Sequence, residues 1–273
     1  MTCCVERGVL LTLAYVGGPF HGFVEQSNVR TVAGEVLGAV QQIDPHVKSL
    51  RGVSRTDAGV HARGQLAAFD SRLTVPPRGW LLAINRHLPD EIAVRHVVMV
   101  PCGFDPRRYA TLKWYRYSLL RDVRRDPFLD AVTWRIGGEL DLHKARKEAS
   151  DLVGTHDFAA FRSSADERTS TMRTISRLTI ESSIHDPRVI FIDVWGTGFL
   201  HNMVRIIVGT LVDVARGKLD LGTMQRGLLT GDRSVLGITA PPQGLCLRHV
   251  ELMDTAELGT EWPESGMQDT EAS

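Results

Sequence analysis

The sequence predicts an α+β fold in which two similar β-α-β-β-α-β halves form an antiparallel-rich sheet with helices packed on it. The order strand, helix, strand, strand, helix, strand occurs twice along the chain. Two late strands are separated only by a short His-Asp-Pro turn, which is typical of antiparallel neighbours. A chain of 273 residues is long enough for two such halves and a sizeable core. A central cleft between the halves is where a ligand would bind.

The first half contains four predicted strands and two predicted helices. The strands cover residues 8–15, 46–54, 64–70 and 91–100, and the helices cover residues 31–43 and 76–88. Val32, Val36, Val40 and Ile43 recur at the spacing of one helical face, which identifies the first helix. The second helix follows two prolines, which favour a helix start.

The second half repeats this order with one additional helix. Its strands cover residues 112–120, 173–184, 188–198 and 245–252, and its helices cover residues 140–154, 201–217 and 221–231. Asp141 is suited to cap the first of these helices, and Gly154 and Gly217 are the predicted ends of the first and second. We assign the halves to domains of residues 1–103 and 104–253.

Charge is distributed unevenly between these domains and the end of the chain. The formal net charge is zero, but residues 254–273 hold six acidic side chains and neither Lys nor Arg. Without this tail the chain has 32 basic and 26 acidic residues, a balance that is compatible with phosphate binding. The tail contains few apolar residues, which predicts that it is disordered.

Composition excludes several classes of protein. No apolar segment is long enough to cross a bilayer, and the N-terminus lacks the basic and apolar regions of a secretion signal. The four cysteines form no Cys-x-x-Cys pair, so we expect reduced thiols in the cytoplasm, and no zinc site. Some histidines without mutual metal-ligand spacing are interpreted as structural or pocket-lining: His21, His61, His156 and His201.

The segment SRTDAGVHARGQ, residues 54–65, is the strongest candidate for a functional site. An isolated Asp-x-Gly is a common surface turn, and this interpretation stays open for Asp57. A turn does not require the further polar residues Arg55, Thr56, His61 and Arg63. Their density around Asp57 indicates a pocket.

Two residues of the second half could complete that pocket. Arg205 lies in the apolar sequence MVRIIVGTLV, and a buried guanidinium needs a carboxylate or strong hydrogen bonds. Arg205 could instead extend to water from a core helix. Tyr115, in KWYRY, could stack on a base, although tyrosines on strands usually pack with the hydroxyl at the surface.

Taken together, these residues resemble the TruA-type tRNA pseudouridine synthases, from about residue 10 to residue 252. The most specific match is SRTDAGVHA (54–62), in which Ser54 stands where Gly is commoner in the family. The other matching segments follow in family order: FDPRRYA (104–110), KWYRY (113–117), GTHDFAAFR (154–162), GFLHNMVRIIVG (198–209) and GLCL (244–247).

The resemblance implies isomerisation of uridine to pseudouridine in the anticodon arm of tRNA, at tRNA positions 38–40, by a homodimer without metal or organic cofactor. It makes Asp57 the nucleophile, places Tyr115 against the target base and pairs Arg205 with Asp57. A tyrosine there could also take up the proton that C5 of the base loses. The implied substrate-binding residues are Arg55, His61, Arg107, Arg108, Arg162, Arg168 and Leu245. We expect Arg124 and Arg125 to contact RNA as well.

Two departures from the family pattern concern the substrate more than the reaction. Val16 and Val24 stand where the family has an Asp and a Gln, near the expected substrate side. A related synthase that acts on another RNA or on a free nucleotide therefore stays possible. So does an RNA-binding module that keeps the fold without activity, although the retained Asp57, Tyr115 and Arg205 argue against it.

Overall fold

The computed structural model describes residues 7–166 and 168–253, so the predicted disorder of the tail concerns residues outside the described part. The described residues form one ten-stranded sheet and six α-helices. The strands are β1 (Arg7–Tyr15), β2 (Arg51–Gly52), β3 (His61–Ser71), β4 (Ile92–Val100), β5 (Ala110–Arg121), β6 (Trp134–Ile136), β7 (Gly154–Asp157), β8 (Met172–Ser182), β9 (Val189–Gly196) and β10 (Leu245–Leu252). The helices are α1 (Val32–Gln41), α2 (Pro77–His87), α3 (Pro106–Tyr109), α4 (Leu142–Ser150), α5 (Met203–Ala215) and α6 (Thr223–Thr230).

The strand order confirms the predicted α+β fold and its duplicated pattern. Along the sheet the order is β4-β1-β3-β10-β5-β9-β8-β7, with β2 added to β3 and β6 to β5. The orders β4-β1-β3-β2 and β10-β5-β9-β8 are therefore equivalent, and β10 joins the two halves by pairing in parallel with β3. Because one sheet runs through both halves, the division into domains at residue 103 stays a prediction.

Two predicted elements differ markedly from the structure. The predicted strand 46–54 is reduced to Arg51–Gly52, and the predicted helix 140–154 ends at Ser150. Gly154 has a φ of 121° and begins β7 instead of ending the helix. The short elements α3, β6 and β7 were not predicted, because three or four residues are too few to show a period.

The two faces of the sheet carry different side chains. Tyr115 of β5 and Leu247 of β10 are register partners, so they share one face, which we call the cleft face. Arg116 and Cys246 are also partners and lie on the opposite face, together with His61 of β3; we call this the groove face. Because side chains alternate between the two faces along each strand, neighbouring residues of one family-like motif lie on opposite faces of the sheet.

Helix α5 explains how an arginine occurs in an apolar segment. Every residue of this helix except Arg205 is buried. A Cβ on Gly209 would lie 1.8 Å from the carbonyl oxygen of Ile238, so only glycine allows the segment 238–240 to approach so closely. That segment supplies a partner for Arg205, and Gly217, with a φ of 70°, follows the end of the helix as predicted.

Candidate active site

Asp57 lies at the start of a tight turn between β2 and β3. The backbone N–H of Val60 donates to the carbonyl of Asp57 at 3.1 Å, and Gly59 adopts a φ of 78°. A positive φ at this position explains why the sequence requires glycine two residues after the aspartate. The turn leaves the carboxylate half-buried, with 22% of its side chain exposed.

The residues before Asp57 are held by buried polar side chains. Gln65 binds both backbone groups of Ser54, donating to its carbonyl at 2.7 Å and accepting from its N–H at 3.2 Å. The hydroxyls of Thr56 and Tyr15 are 2.7 Å apart and hydrogen-bonded. Several polar residues of the SRTDAGVHARGQ segment therefore fix the backbone conformation that positions Asp57.

Arg205 faces Asp57 across the cleft. Its Nη1 lies 3.3 Å from Oδ2 of Asp57 and 2.7 Å from Oδ1 of Asn202, and its Nε donates to the carbonyl of Ala240 at 2.8 Å. With only 16% of its side chain exposed, Arg205 does not extend to water from a core helix. The guanidinium is held by three oxygen acceptors from three segments of the chain.

Two further residues lie beside this pair: His201, which the sequence indicated only as structural or pocket-lining, and Asn202, which sequence reasoning did not identify. His201 Nε2 lies 3.4 Å from Oδ1 of Asp57, and Asn202 orients Arg205. Asn202 adopts a φ of 63°, an uncommon conformation for a residue other than glycine. The spacing of three residues between Asn202 and Arg205 in the motif HNMVR is the signal that could have revealed their contact.

A cleft of about 1000 Å³ surrounds Asp57. Tyr115 lies in it with its ring edge-to-face against Phe199, at a centroid distance of 5.2 Å, and Leu245 lines it from β10. Burial raises the pKa of Tyr115 to about 12, and the charge of Asp57 acts in the same direction. The phenol of the free protein is therefore protonated at neutral pH.

The predicted cationic residues fall into two groups. Arg55, Arg107 and Arg168 line the cleft. Arg107 and Arg168 are also paired with Asp105 and Asp166, at 2.8 and 2.6 Å respectively. Asp166 further accepts from the backbone N–H of His201 at 2.7 Å, which ties Arg168 to the segment before α5.

Four other predicted arginines lie outside the lining of the cleft. Arg162 donates to the carbonyl of Arg168 at 2.9 Å, and Arg108 is exposed on α3. Arg124 and Arg125 are exposed in the loop that follows β5. The structure therefore brings together only part of the predicted substrate-binding set.

His61 lies on the groove face, away from Asp57. Its Nδ1 accepts from the N–H of Gly17 at 3.0 Å, and its Nε2 lies 2.9 Å from the carbonyl of Gln243. Both ring nitrogens are thus occupied, and burial lowers the pKa of the ring. This placement does not favour substrate binding, and that role stays a prediction.

The two residues that depart from the family pattern, Val16 and Val24, lie on opposite faces of the sheet. Val24 lines the cleft, whereas Val16 lines a groove of about 710 Å³ on the opposite face. Only Val24 therefore lies on the expected substrate side.

Within the described residues, no group of three or more His, Cys, Asp or Glu side chains is arranged to hold a metal ion. No helix in that part of the chain is long and apolar enough to cross a membrane.

Comparison with known proteins gives consistent matches. A family model described as tRNA pseudouridine synthase matches residues 149–252. The tRNA pseudouridine synthase A of Geotalea uraniireducens is 41% identical over 244 residues, covering 89% of this chain and 99% of the relative. The enzyme of the same name from Syntrophotalea carbinolica is 42% identical, covering 89% and 95%. These matches confirm the resemblance that the motifs predict.

Similarity to solved structures is more distant. An archaeal box H/ACA sRNP Nop10–Cbf5 complex aligns at 13% identity and a TM-score of 0.37, covering 76% of this chain and 43% of that one. So low a score supports no argument about the site.

Proposed function

The chain belongs to the tRNA pseudouridine synthase family, and from this premise we propose that Asp57 is the nucleophile that isomerises a flipped-out uridine of tRNA to pseudouridine. The observation that carries the proposal is the half-buried carboxylate of Asp57 in the cleft, facing Arg205 at 3.3 Å. An arginine beside a carboxylate favours the ionised form, which is the form that attacks. Extruding the base from its stack brings the reacting atoms within reach of that carboxylate.

The isomerisation changes two bonds to C1′ and two bonds to hydrogen. The N1–C1′ bond of the uridine breaks, the base rotates, a C5–C1′ bond forms, C5 loses a proton and N1 gains one. Asp57 acts as the nucleophile while the base is detached, and the contact with Arg205 keeps its carboxylate oriented.

Tyr115 is proposed to lie against the detached base and to take up the proton that C5 loses. Burial raises the pKa of its hydroxyl to about 12 in the free protein, so the hydroxyl must give up its own proton before it can accept that of C5. Its ring, fixed by Phe199, is suited to lie against the detached base.

The anticodon arm, at tRNA positions 38–40, is the proposed target within tRNA. Arg55 is exposed at the cleft and could hold the nucleotide that leaves the stack, while Arg107 and Arg168 extend the cationic surface. The free-nucleotide alternative makes little use of these three cations. Val24, which the family occupies with a polar residue, is the specific observation that keeps another RNA as a second candidate.

Two measurements test this function. Pseudouridine mapped in tRNA from cells with and without this gene should be lost from the anticodon arm when the gene is absent. Purified enzyme should show a kcat/KM for an unmodified tRNA transcript at least about 100-fold above that for uridine monophosphate, which is about 2.7 kcal/mol. Equal values would favour a nucleotide substrate, and no turnover with either would favour a silent RNA-binding module.

A homodimer joined through the groove face is part of the proposal. Val123, Phe128 and Ile184 are 74, 89 and 88% exposed, and Phe128 and Ile184 adjoin residues that line the groove, Leu129 and Ser183. Exposed apolar side chains that lie together are typical of a surface that binds another protein. The three side chains are held in an ordered surface by Arg188, whose guanidinium pairs with three aspartates at 2.7 to 3.1 Å: Asp122, Asp126 and Asp186. In a two-fold dimer the same surface of both subunits is in contact, so these apolar side chains of one subunit could enter the groove of the other.

Light scattering after gel filtration tests the dimer. Phe128→Asp and Ile184→Asp should reduce the mass to that of one subunit, since each places a charge in the proposed interface. Leu229→Asp, at a residue of α6 that is 80% exposed, is the matched control and should leave the dimer intact. A monomeric parent, or equal behaviour of all three variants, would contradict the interface.

We further propose a cytoplasmic location, where a tRNA substrate is available.

A further inference from the structure

The cationic residues of the cleft differ in whether a carboxylate neutralises them. Arg205, Arg107 and Arg168 each form an ion pair, with Asp57, Asp105 and Asp166 respectively. Lys113 and Arg55 line the same cleft, and neither has a carboxylate partner within the described residues. Arg55 is exposed and hydrated, whereas Lys113 is half-buried. A half-buried cation without a counter-ion is the costlier arrangement.

Lys113 is placed where an anion of the substrate would lie. It precedes Tyr115 by two residues on β5, so both side chains point to the cleft face, about 6.6 Å apart along the strand. This spacing is comparable to the distance between the base and a phosphate of one nucleotide. Its Nζ donates to the carbonyl of Val53 at 3.0 Å, which leaves two further N–H donors for a ligand.

The electrostatic environment of Lys113 also favours an anionic ligand. Burial, followed by the nearby charge of Arg168, lowers the pKa of Lys113 from 10.5 to about 8. Both causes disfavour the charged amine in the free protein, and the negative charge of a bound phosphate would oppose them by favouring the charged form.

We propose that Lys113 binds a backbone phosphate of the uridine nucleotide whose base packs on Tyr115, and so positions that nucleotide over Asp57. The inference rests on the proposed function, since it requires a nucleotide in the cleft. Lys113 is a positioning residue in this account, because it contacts the substrate phosphate and none of the bonds that change.

A structural alternative makes a different prediction. If Lys113 serves only to hold Val53 through its hydrogen bond, its removal should lower the melting temperature and leave the salt dependence of binding unchanged. If it binds phosphate, Lys113→Met should reduce the salt dependence of tRNA binding, whether or not loss of the hydrogen bond to Val53 changes the melting temperature. Lys48 is the matched control, because its Nζ also donates to a backbone carbonyl, that of Pro45 at 3.1 Å, but outside the cleft.

The experiment compares tRNA binding and turnover by the parent, Lys113→Met and Lys48→Met. We expect Lys113→Met to weaken tRNA binding about tenfold and to reduce the slope of log K against log salt by about 0.7 to 0.9. Lys48→Met should match the parent in both. Unchanged binding and slope in Lys113→Met, or a lower melting temperature with an unchanged slope, would overturn the inference. A parent that binds tRNA but modifies none would instead contradict the proposed function.

The pH dependence of tRNA binding gives a second readout. Between pH 7 and pH 9 the parent should bind progressively more weakly as Lys113 loses its proton, and Lys113→Arg, which stays charged, should not share this loss. Lys113→Met should also lack it. The other ionisable groups lining the cleft are His21, Arg55, Asp57, Arg107, Tyr115, Asp166, Arg168, His201 and Arg205, and they are common to all three proteins. The same pH dependence in parent and Lys113→Met would count against Lys113.

Discussion

Two arginine–carboxylate pairs lie on opposite faces of the sheet, and only one of them is suited to chemistry. On the groove face, Asp193 accepts from Nε and Nη2 of Arg116 at 2.9 and 3.1 Å and from Nε1 of Trp114 at 2.6 Å. Its side chain is 7% exposed. On the cleft face, Asp57 receives one guanidinium nitrogen at 3.3 Å and is three times as exposed.

The two carboxylates differ in how many of their hydrogen-bond acceptor positions are unoccupied. Bidentate contact and an indole donor occupy both oxygens of Asp193, so its pair stabilises the sheet. Asp57 keeps unoccupied acceptor positions that open into a cleft, while a single arginine still neutralises it. The number and length of the contacts, and not the presence of the pair, therefore distinguish a reactive carboxylate from a structural one.

Asp57→Asn should give the largest effect on activity. The amide is close to the carboxylate in shape and cannot act as a nucleophile, so turnover of a tRNA transcript should fall by at least about 1000-fold. The tRNA affinity, measured by filter binding on the same preparation, should change little. Residual activity of more than a few per cent would remove Asp57 from the nucleophile role.

Asp193→Asn should damage the fold instead. The substitution weakens the bidentate contact between this carboxylate and the largely buried guanidinium of Arg116, at a cost to the free energy of unfolding of about 3 kcal/mol. Thermal denaturation should show this loss, while kcat measured below the melting temperature stays within about twofold of the parent. A loss of kcat at unchanged stability would mean that the groove face takes part in the reaction.

Arg205 allows the cleft pair to be tested from its other side. Arg205→Met keeps the apolar packing of α5 but removes the guanidinium contact that orients the carboxylate of Asp57. We expect kcat/KM to fall about 100-fold, or about 2.7 kcal/mol. Arg205→Lys should lose less, because it restores the charge without the second contact to Asn202. Normal activity of the Met variant at pH 7 would make Arg205 structural.

The sequence allowed the long elements and the cleft pair to be predicted, but not their surroundings. The helices 31–43, 76–88 and 201–217 have clear periods or end signals, and they occur within a few residues of those bounds. Arg205 could be inferred because a cation within an apolar helix requires a partner. His61 and Val16 were assigned to the substrate side because a linear motif does not reveal which face of the sheet each of its residues occupies.

The contacts of His201 and Lys113 within the cleft could not be predicted for another reason. His201 reaches Asp57 only because the segment before α5 folds back to it, held by the contact of its backbone N–H with Asp166. Lys113 lies in the cleft with its Nζ bound to the carbonyl of Val53 and, within the described residues, with no carboxylate partner. Both facts depend on tertiary packing, which spacing along the chain does not encode.

His201 should contribute least of the residues around Asp57. Its Nε2 lies 3.4 Å from Oδ1, and 41% of its side chain is exposed, so water screens the interaction. The corresponding second donor to Asp193, Trp114, is much closer at 2.6 Å. We therefore expect His201→Leu to lower kcat by at most about fivefold, or about 1 kcal/mol, with KM unchanged.

The conservative variant separates positioning from chemistry at this residue. His201→Gln keeps a nitrogen donor that can reach Asp57, so it should recover most of the kcat that the Leu variant loses, and single-turnover rates on one tRNA transcript measure both. A loss near 100-fold that Gln does not restore would equal the effect of Arg205. His201 would then have to exchange a proton with the substrate, and the single guanidinium contact at 3.3 Å would no longer be enough to explain how Asp57 differs from Asp193.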